Sequence, residues 1–383
     1  MENYKIAYAT GSRADYGIVR NYLNLLNNDA NIDLDILVTG SLLESDYGNA
    51  YKLIEQDGFK IKNKVYQNVN PSSNSKIIKS MAIALDKFGE FFENNKYDLL
   101  IILGDRYEML SVSIAAAMNK IPILHIHGGE ITLGNYDEFI RHSITKMSCY
   151  HFTSTQEYRN RVIQLGENPS RVFNIGAMGS ENCTNIILKN VSKNVRALKR
   201  NTYFVVLFHP ETLTNVNIEE QINELLNAIC YFNEKYQFVF IGTNSDTGAN
   251  IIRNKVKDFT QNKNNNSIYF ENLHPDSYHY LLKNSIALIG NSSSGIIEAP
   301  SLNTYTVNIG NRQYGRVRGD SIIDVKCKKH EIKNAIKEVL TKDRKKGIFN
   351  PYYKKNSSLL AYNYTKKILK KKKIIKEFYD IKF

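Results

Sequence analysis

The chain has 383 residues, 42% of them hydrophobic and 11% aromatic, with four cysteines and a formal net charge of +13. That length suits two domains, each large enough for its own core, and the composition excludes a globally disordered chain. The charge admits an anionic partner, but much of the excess lies in residues 366–376 (KKILKKKKIIK), no nucleic-acid-binding motif accompanies it, and it reads as a solvated lysine-rich helix face.

Residues 5–10 (KIAYAT) read as a buried strand. The turn GSRADYG follows, Gly11 to Gly17, and helical periodicity then runs through Ile18, Tyr22, Leu25 and Leu26. Backbone N–H groups at such a turn suit an anion, and Arg13 adds a guanidinium for a phosphate oxygen. The spacing is not the G-x-G-x-x-G of dinucleotide folds. Residues 34–39 read as a second strand, 46–57 as a helix, 64–69 as a strand, 70–75 as a turn and 77–94 as an amphipathic helix.

Residues 98–145 carry the densest chemistry. An apolar run over 99–103 stops at Gly104-Asp105-Arg106, and a second over 122–126 stops at His127-Gly128-Gly129-Glu130; Asp137, Glu138, Arg141 and His142 then open another helix. Parallel strands deliver their carboxyl ends to one crevice, so Asp105, Glu130 and Asp137 form a constellation for acid–base work. Strands over 151–155 and 171–175 flank a helix over 156–165, and this alternation predicts a parallel, doubly wound sheet.

The polar, basic stretch 176–201 marks a domain joint, after which the alternation resumes. Strands are expected at 203–208, ending in His209-Pro210-Glu211-Thr212, at 238–241, ending in Gly242-Thr243-Asn244-Ser245, and at 268–270, 286–289 and 304–309. Helices are expected at 219–235, 251–259, 276–283 and 331–340, with a long one over 358–378. The loop Gly290-Asn291-Ser292-Ser293-Ser294-Gly295 offers small side chains and hydroxyls to an anion, without the Gly-Lys-Ser/Thr ending of a P-loop. Glu298 lies one turn on, where a carboxylate suits ribose hydroxyls. His209 is either a phosphate contact or a core histidine, and Arg312, Arg316 and Arg318 form a basic cluster suited to a diphosphate. Two Rossmann-like halves, an anion site in the second and carboxylates in the first, point to a nucleotide-sugar enzyme.

Cys149, Cys183, Cys230 and Cys327 are scattered, which suggests neither a zinc site nor a disulfide frame and fits a reducing cytosol. No signal peptide is visible in MENYKIAYAT, and no apolar run approaches the roughly 18 residues of a membrane span.

The strings TGSRADYGIVR, LGDRYEML, HIHGGE, NYDEFIRHSITKM, RVIQLGENPSRVFNIGAMG, LFHPET, IGNSSSGIIEAPSL, NIGNRQYGRVRG and FYDIKF run through nearly the whole chain. At these residues the sequence resembles the hydrolysing UDP-N-acetylglucosamine 2-epimerases, within them the bacterial NeuC-type branch that supplies N-acetylmannosamine for sialic acid synthesis. The resemblance implies an α/β fold of glycosyltransferase-B type, two Rossmann-like domains facing across a cleft with the C-terminal helix crossing back to the first. It implies residues 1–177 as the sugar and acid–base domain, completed by a helix over 359–383, and 178–358 as the UDP-binding domain. It implies a UDP-sugar substrate, no metal, no cofactor, a cytoplasmic location and a homo-oligomer, dimer or tetramer. The reaction it implies is removal of the C2 proton with anti elimination of UDP to 2-acetamidoglucal, then hydration to N-acetylmannosamine. By match of motif Asp105 and Asp137 are catalytic; with Glu130, the acid nearest the departure at His127, Asp105 is expected to serve proton transfer and Asp137 to support it. Arg13, His209, Ser292, Ser293, Ser294, Glu298 and Arg312 hold UDP. The sequence departs from several relatives at His127, where they carry Glu, so that either Glu130 takes that role or His127 does. The alternatives are a hydrolysing 2-epimerase of UDP-2,4-diacetamido-2,4,6-trideoxyglucose for legionaminic acid, a glycosyltransferase on the same architecture, a non-hydrolysing epimerase, and a basic binding protein.

Overall fold

The structure, a computed structural model, describes residues 3–133, 135–211, 217–243, 246–343, 347–371 and 375–382. The strand-end residues Thr212, Asn244 and Ser245 and part of the lysine-rich tail lie outside them.

Two parallel sheets organise the chain. The first contains β1 (Tyr4–Thr10), β2 (Ile32–Val38), β3 (Ile61–Lys64), β4 (Leu99–Leu103), β5 (Ile123–Ile126), β6 (Tyr150–Thr153) and β7 (Val172–Asn174), in the order β3-β2-β1-β4-β5-β6-β7. The second contains β8 (Tyr203–Leu207), β9 (Gln237–Ile241), β10 (Ser267–Phe270), β11 (Ala287–Gly290), β12 (Tyr305–Ile309) and β13 (Ile322–Val325), in the order β10-β9-β8-β11-β12-β13. Both sheets are covered on both faces, which is why their strands read as apolar runs rather than alternating ones. In β4, Leu99, Ile101 and Leu103 enter the core on one face and Leu100 and Ile102 the core on the other. In β8, Phe204 and Val206 oppose Tyr203, Val205 and Leu207 in the same way.

The strand orders set the position of the site. The chain leaves β1 towards β2 and β3 and returns on its other side with β4; β8 and β11 repeat this in the second sheet. Ligands of doubly wound sheets bind outside the strand ends at such reversals. Arg13 and Asp105 follow β1 and β4, while His209 and Ser292 follow β8 and β11.

The C-terminal helix crosses back to the first sheet but is shorter than expected. It spans Ser357–Leu369, with Ala361, Ile368 and Leu369 in the first core and Tyr22 Oη 2.6 Å from Thr365 Oγ1. Residues 375–382 are irregular, against the helix expected over 359–383. The tail is held by contacts a helix would not deliver: Lys376 Nζ donates to the carbonyls of Lys146 (2.6 Å) and Ser148 (2.9 Å), and Tyr379 N donates to Gly166 O (2.9 Å). Two smaller expectations also shift. The strand expected over 64–69 is β3, at Ile61–Lys64, and the helix over 46–57 shrinks to Lys52–Gln56; β13 is a strand to which the sequence reading assigned no element.

Candidate active site

One cavity between the two sheets is lined by Arg13, Asp105, His127, Glu130, Asp137, His209, Ser292, Ser293, Ser294, Glu298 and Arg312, all eleven residues singled out from sequence. Its empty space, open mouth included, is about 1400 Å³.

The second sheet supplies the polar half. At Gly290 (φ +145°) a Cβ would meet Leu207 O at 1.9 Å, so only glycine lets β11 approach β8 this closely. Asn291 then ties the two strand ends together, its side chain accepting from His209 N (2.7 Å) and donating to His209 O (2.8 Å). Asn291 O in turn accepts from Arg312 Nη1 (3.2 Å) and Gln313 Nε2 (2.9 Å), which carries the β12 loop over the serines. Ser294 Oγ lies 2.6 Å from Tyr278 Oη and 3.0 Å from Ser292 Oγ. Burial, then the Arg312 charge, lowers His209 to about 3, so its imidazole is neutral and hydrogen-bonded to Thr243 Oγ1 (2.8 Å). His279 Nε2 lies 3.4 Å from Glu298 Oε1 and orients that carboxylate. Arg13, the first residue of the helix Arg13–Asn27 capped by Ser12, reaches across to Asn272 Oδ1 (3.0 Å).

The first sheet supplies the acids, and arginines sort them. Asp105 pairs with Arg141, which also donates to Glu130 O (2.8 Å) and Thr132 Oγ1 (2.5 Å). Burial pushes Asp105 up, but Arg141, Arg316 and Arg312 outweigh it and keep the carboxyl below its ordinary value. Glu130 is 2% exposed; it accepts from Ser154 Oγ (2.6 Å) and pairs with Arg316 Nη1 (2.6 Å). Burial again opposes its ionisation, and Arg316 with His127 and Arg141 wins. Asp137 differs. It opens the helix Asp137–Met147, its Oδ1 has no hydrogen-bond partner among the described residues, and Arg312 Nη2 is 3.7 Å from Oδ2. Burial, then the charges of Asp105 and Asp246, raises it to about 7. A carboxyl that titrates near neutrality in a cleft is suited to donating or accepting a proton. His125 is structural: buried, bonded to Gly104 O (2.7 Å) and Thr145 Oγ1 (3.0 Å), and lowered to about 3 by burial.

Of the basic cluster, Arg316 also lines the cavity whereas Arg318 turns to Asp324, and sequence reasoning did not assign Arg141, Ser154 or Asp246 to the site. Arg316 was visible only as one of three arginines in a loop, and Ser154 as a polar strand end. Asp246, which pairs with Arg106 across the cleft (2.5 Å), has no motif around it that marks it. Among the described residues, no group of three or more His, Cys, Asp or Glu side chains is placed to hold a metal ion, and no helix is long and apolar enough to cross a membrane.

Comparison with known proteins adds a family. The family described as UDP-N-acetylglucosamine 2-epimerase matches residues 24–364. The chain is 50% identical to the polysialic acid biosynthesis protein P7 of Escherichia coli, over 98% of this chain and 97% of that one. It is 38% identical to the GDP/UDP-N,N'-diacetylbacillosamine 2-epimerase (hydrolyzing) of Campylobacter jejuni, over 85% of each. Its fold is similar to that of the Methanocaldococcus jannaschii UDP-GlcNAc 2-epimerase crystallised with UDP-GlcNAc and UDP, with a TM-score of 0.80, 18% identity and coverage of 95% of this chain and 99% of that one.

Proposed function

The chain belongs to the UDP-N-acetylglucosamine 2-epimerase family, and from that premise we propose that it is the hydrolysing enzyme, converting UDP-N-acetylglucosamine and water to N-acetylmannosamine and UDP for sialic acid synthesis. The observation that carries this reading is the division of the cavity. Serines, a neutral histidine and arginines line one wall; carboxylates with separated proton affinities line the other. UDP lies on residues 178–358, its diphosphate against Ser292, Ser293, His209 and Arg312, its ribose at Glu298, and Arg13 closes over the phosphates. The sugar lies on residues 1–177, a half completed by the C-terminal helix. The protein works in the cytoplasm as a homo-oligomer, dimer or tetramer.

The chemistry needs one group to take the C2 proton and another to return a proton from the opposite face. As the C2–H bond breaks, its electron pair forms the C1–C2 double bond. The C1–O bond then releases its pair to the diphosphate. Arg312 and the serines stabilise that developing charge. In the second step water bonds to C1, and Asp137, protonated near neutrality, gives its proton to C2. Asp105, held ionised by Arg141, orients the attacking water and takes the proton it loses as the C1–O bond forms.

The sugar follows the relative with higher identity, whose name places it in polysialic acid biosynthesis. The second reading, a hydrolysing epimerase of a UDP-diacetamido sugar, is favoured by the 38% identity to the Campylobacter jejuni enzyme. The test is product NMR after incubation with UDP-N-acetylglucosamine in D2O. Free N-acetylmannosamine deuterated at C2, with UDP, is the expected result. Turnover only of the diacetamido sugar would select the second reading, and an intact UDP-N-acetylmannosamine product would make the chain a non-hydrolysing epimerase.

A further inference from the structure

We propose that His127 is the group that takes the C2 proton, that Glu130 is its positioning residue, and that Arg316 completes the pair from across the cleft. This rests on the epimerase reading above and goes beyond it by choosing between two residues that family likeness leaves open.

The loop after β5 is wound to bring these side chains together. His127 adopts φ +67°, a left-handed conformation kept where the surroundings impose it. Six of the other seven such residues are asparagines, for which this conformation is mild. His127 N continues the ladder to β6 through Phe152 O (2.8 Å), which fixes the residue at the strand end. Gly129 (φ +78°) lies so close to Tyr158 O that a Cβ would sit 2.5 Å away. The chain therefore doubles back within three residues, and His127 Nδ1 comes 3.2 Å from Glu130 Oε1.

Glu130 is poorly placed to take a proton from carbon. Oε1 already accepts from Ser154 and faces His127, and Oε2 is held by Arg316, whose Nε also donates to Ile131 O (2.9 Å). His127 has the complementary arrangement. With the ring proton on Nδ1, the nitrogen 3.2 Å from the carboxylate, the lone pair is on Nε2, which has no hydrogen-bond partner among the described residues, and the side chain lines the cavity. The charged groups facing the ring are Glu130 on its own loop, Asp105 after β4, Arg141 on the helix Asp137–Met147 and Arg316 after β12. Burial first, with Arg316 and Arg141, lowers the imidazole against the opposing pull of Glu130 and Asp105, so the ring is neutral and basic at neutral pH. In the step itself the C2 proton moves to Nε2, and the imidazolium that forms is stabilised by the Glu130 carboxylate. Because Arg316 follows β12, its contact with Glu130 crosses from the second half of the chain to the first.

The test compares His127→Gly, which suits the left-handed backbone, with Glu130→Gln. His127→Gly should lose about 10³-fold in kcat, keep UDP affinity by calorimetry within about threefold, and recover part of its turnover with added imidazole. His127→Asn serves the same comparison should the glycine variant fail to fold. Glu130→Gln should lose at least about tenfold, gain nothing from imidazole, and shift the low-pH limb of kcat/KM downward, because the imidazole loses the carboxylate that raises it. Histidine-edited NMR of the substrate-free protein should show the His127 ring titrating at lower pH in Glu130→Gln, whether or not any sugar is turned over. An unchanged titration overturns the pairing. Near-parental activity in His127→Gly with about 10³-fold loss in Glu130→Gln would make Glu130 the proton-transferring group. A parent protein that turns over neither UDP sugar would refute the epimerase reading, while the titration still decides the pair.

Discussion

Asp105, Glu130 and Asp137 are three carboxylates around one cavity, and their neighbours make them different. Arg141 and Arg316 hold the first two ionised, whereas Asp137 faces two other acids and only a distant guanidinium. The proton affinities of Asp137 and His127 are thereby pushed in opposite directions, which suits one as acid and the other as base. Asp137 must be protonated to donate, so kcat/KM should fall above about pH 7 as the carboxyl ionises, the high-pH limb of a bell whose low-pH limb belongs to His127. Asp137→Asn should cost about 10²–10⁴-fold in kcat and abolish that high-pH limb; a limb that persists in the variant would assign it to another group. The eleven candidate residues come together at one cavity because most of them follow strand ends or open helices, where the spacing of apolar runs places them. Their charge states were not legible in the sequence, because the guanidiniums that set them arrive from a helix face and a distant loop, and no spacing reports which way those side chains turn.

Short elements held by tertiary contacts were the least legible. The strands with strong apolar runs, β4, β5, β8 and β11, appear within a residue or two of where periodicity places them. The C-terminal tail does not. Its lysines permit a helix by propensity, yet the helix ends at Leu369 and Lys376 bonds instead to carbonyls at the end of the helix Asp137–Met147. Lys376 Nζ also lies 2.7 Å from Glu167 Oε1, a carboxylate 1% exposed that Lys146 (2.8 Å) and His151 (3.0 Å) hold as well. Burial would raise Glu167, but these partners lower it to about 2. A carboxyl depressed in the folded state contributes stability above its unfolded value, near 4.5, and loses it as pH falls towards 2. Lys376→Met should therefore cost about 1–3 kcal/mol at pH 7, since Lys146 and His151 remain, read as a Tm lower by about 2–10 °C. The difference from the parent should narrow as pH falls through that window. An equal deficit at pH 7 and pH 3 would mean that the lysine acts through its stem and the helix carbonyls rather than through Glu167.

The two halves meet through charges that the substrate itself competes for. Arg106 reaches from the first half to Asp246, and Arg316 and Arg312 reach from the second to Glu130 and Asp137. Each pair is buried, so removing one partner leaves a charge that is better solvated with the cleft open. Asp246→Asn does this: Arg106 keeps Glu108 (3.2 Å) but loses the charge of its partner across the cleft, and because Asp246 also helps to raise Asp137, the kinetics are compared well below the high-pH limb, where Asp137 is protonated in both proteins. A loss of about 1.4 kcal/mol from the closed state moves the closed-to-open ratio tenfold. The free variant should then show a larger radius of gyration in solution scattering than the parent, and saturating UDP, which bridges the same wall, should bring the two together. Because binding must supply the closure that the ion pair no longer does, KM for the nucleotide sugar should rise about tenfold while kcat changes less. Identical scattering of the parent with and without UDP, together with an unchanged KM in Asp246→Asn, would mean that the halves are fixed by their apolar joint around Tyr158, Ile296 and Tyr352 and that the charges only line the cleft.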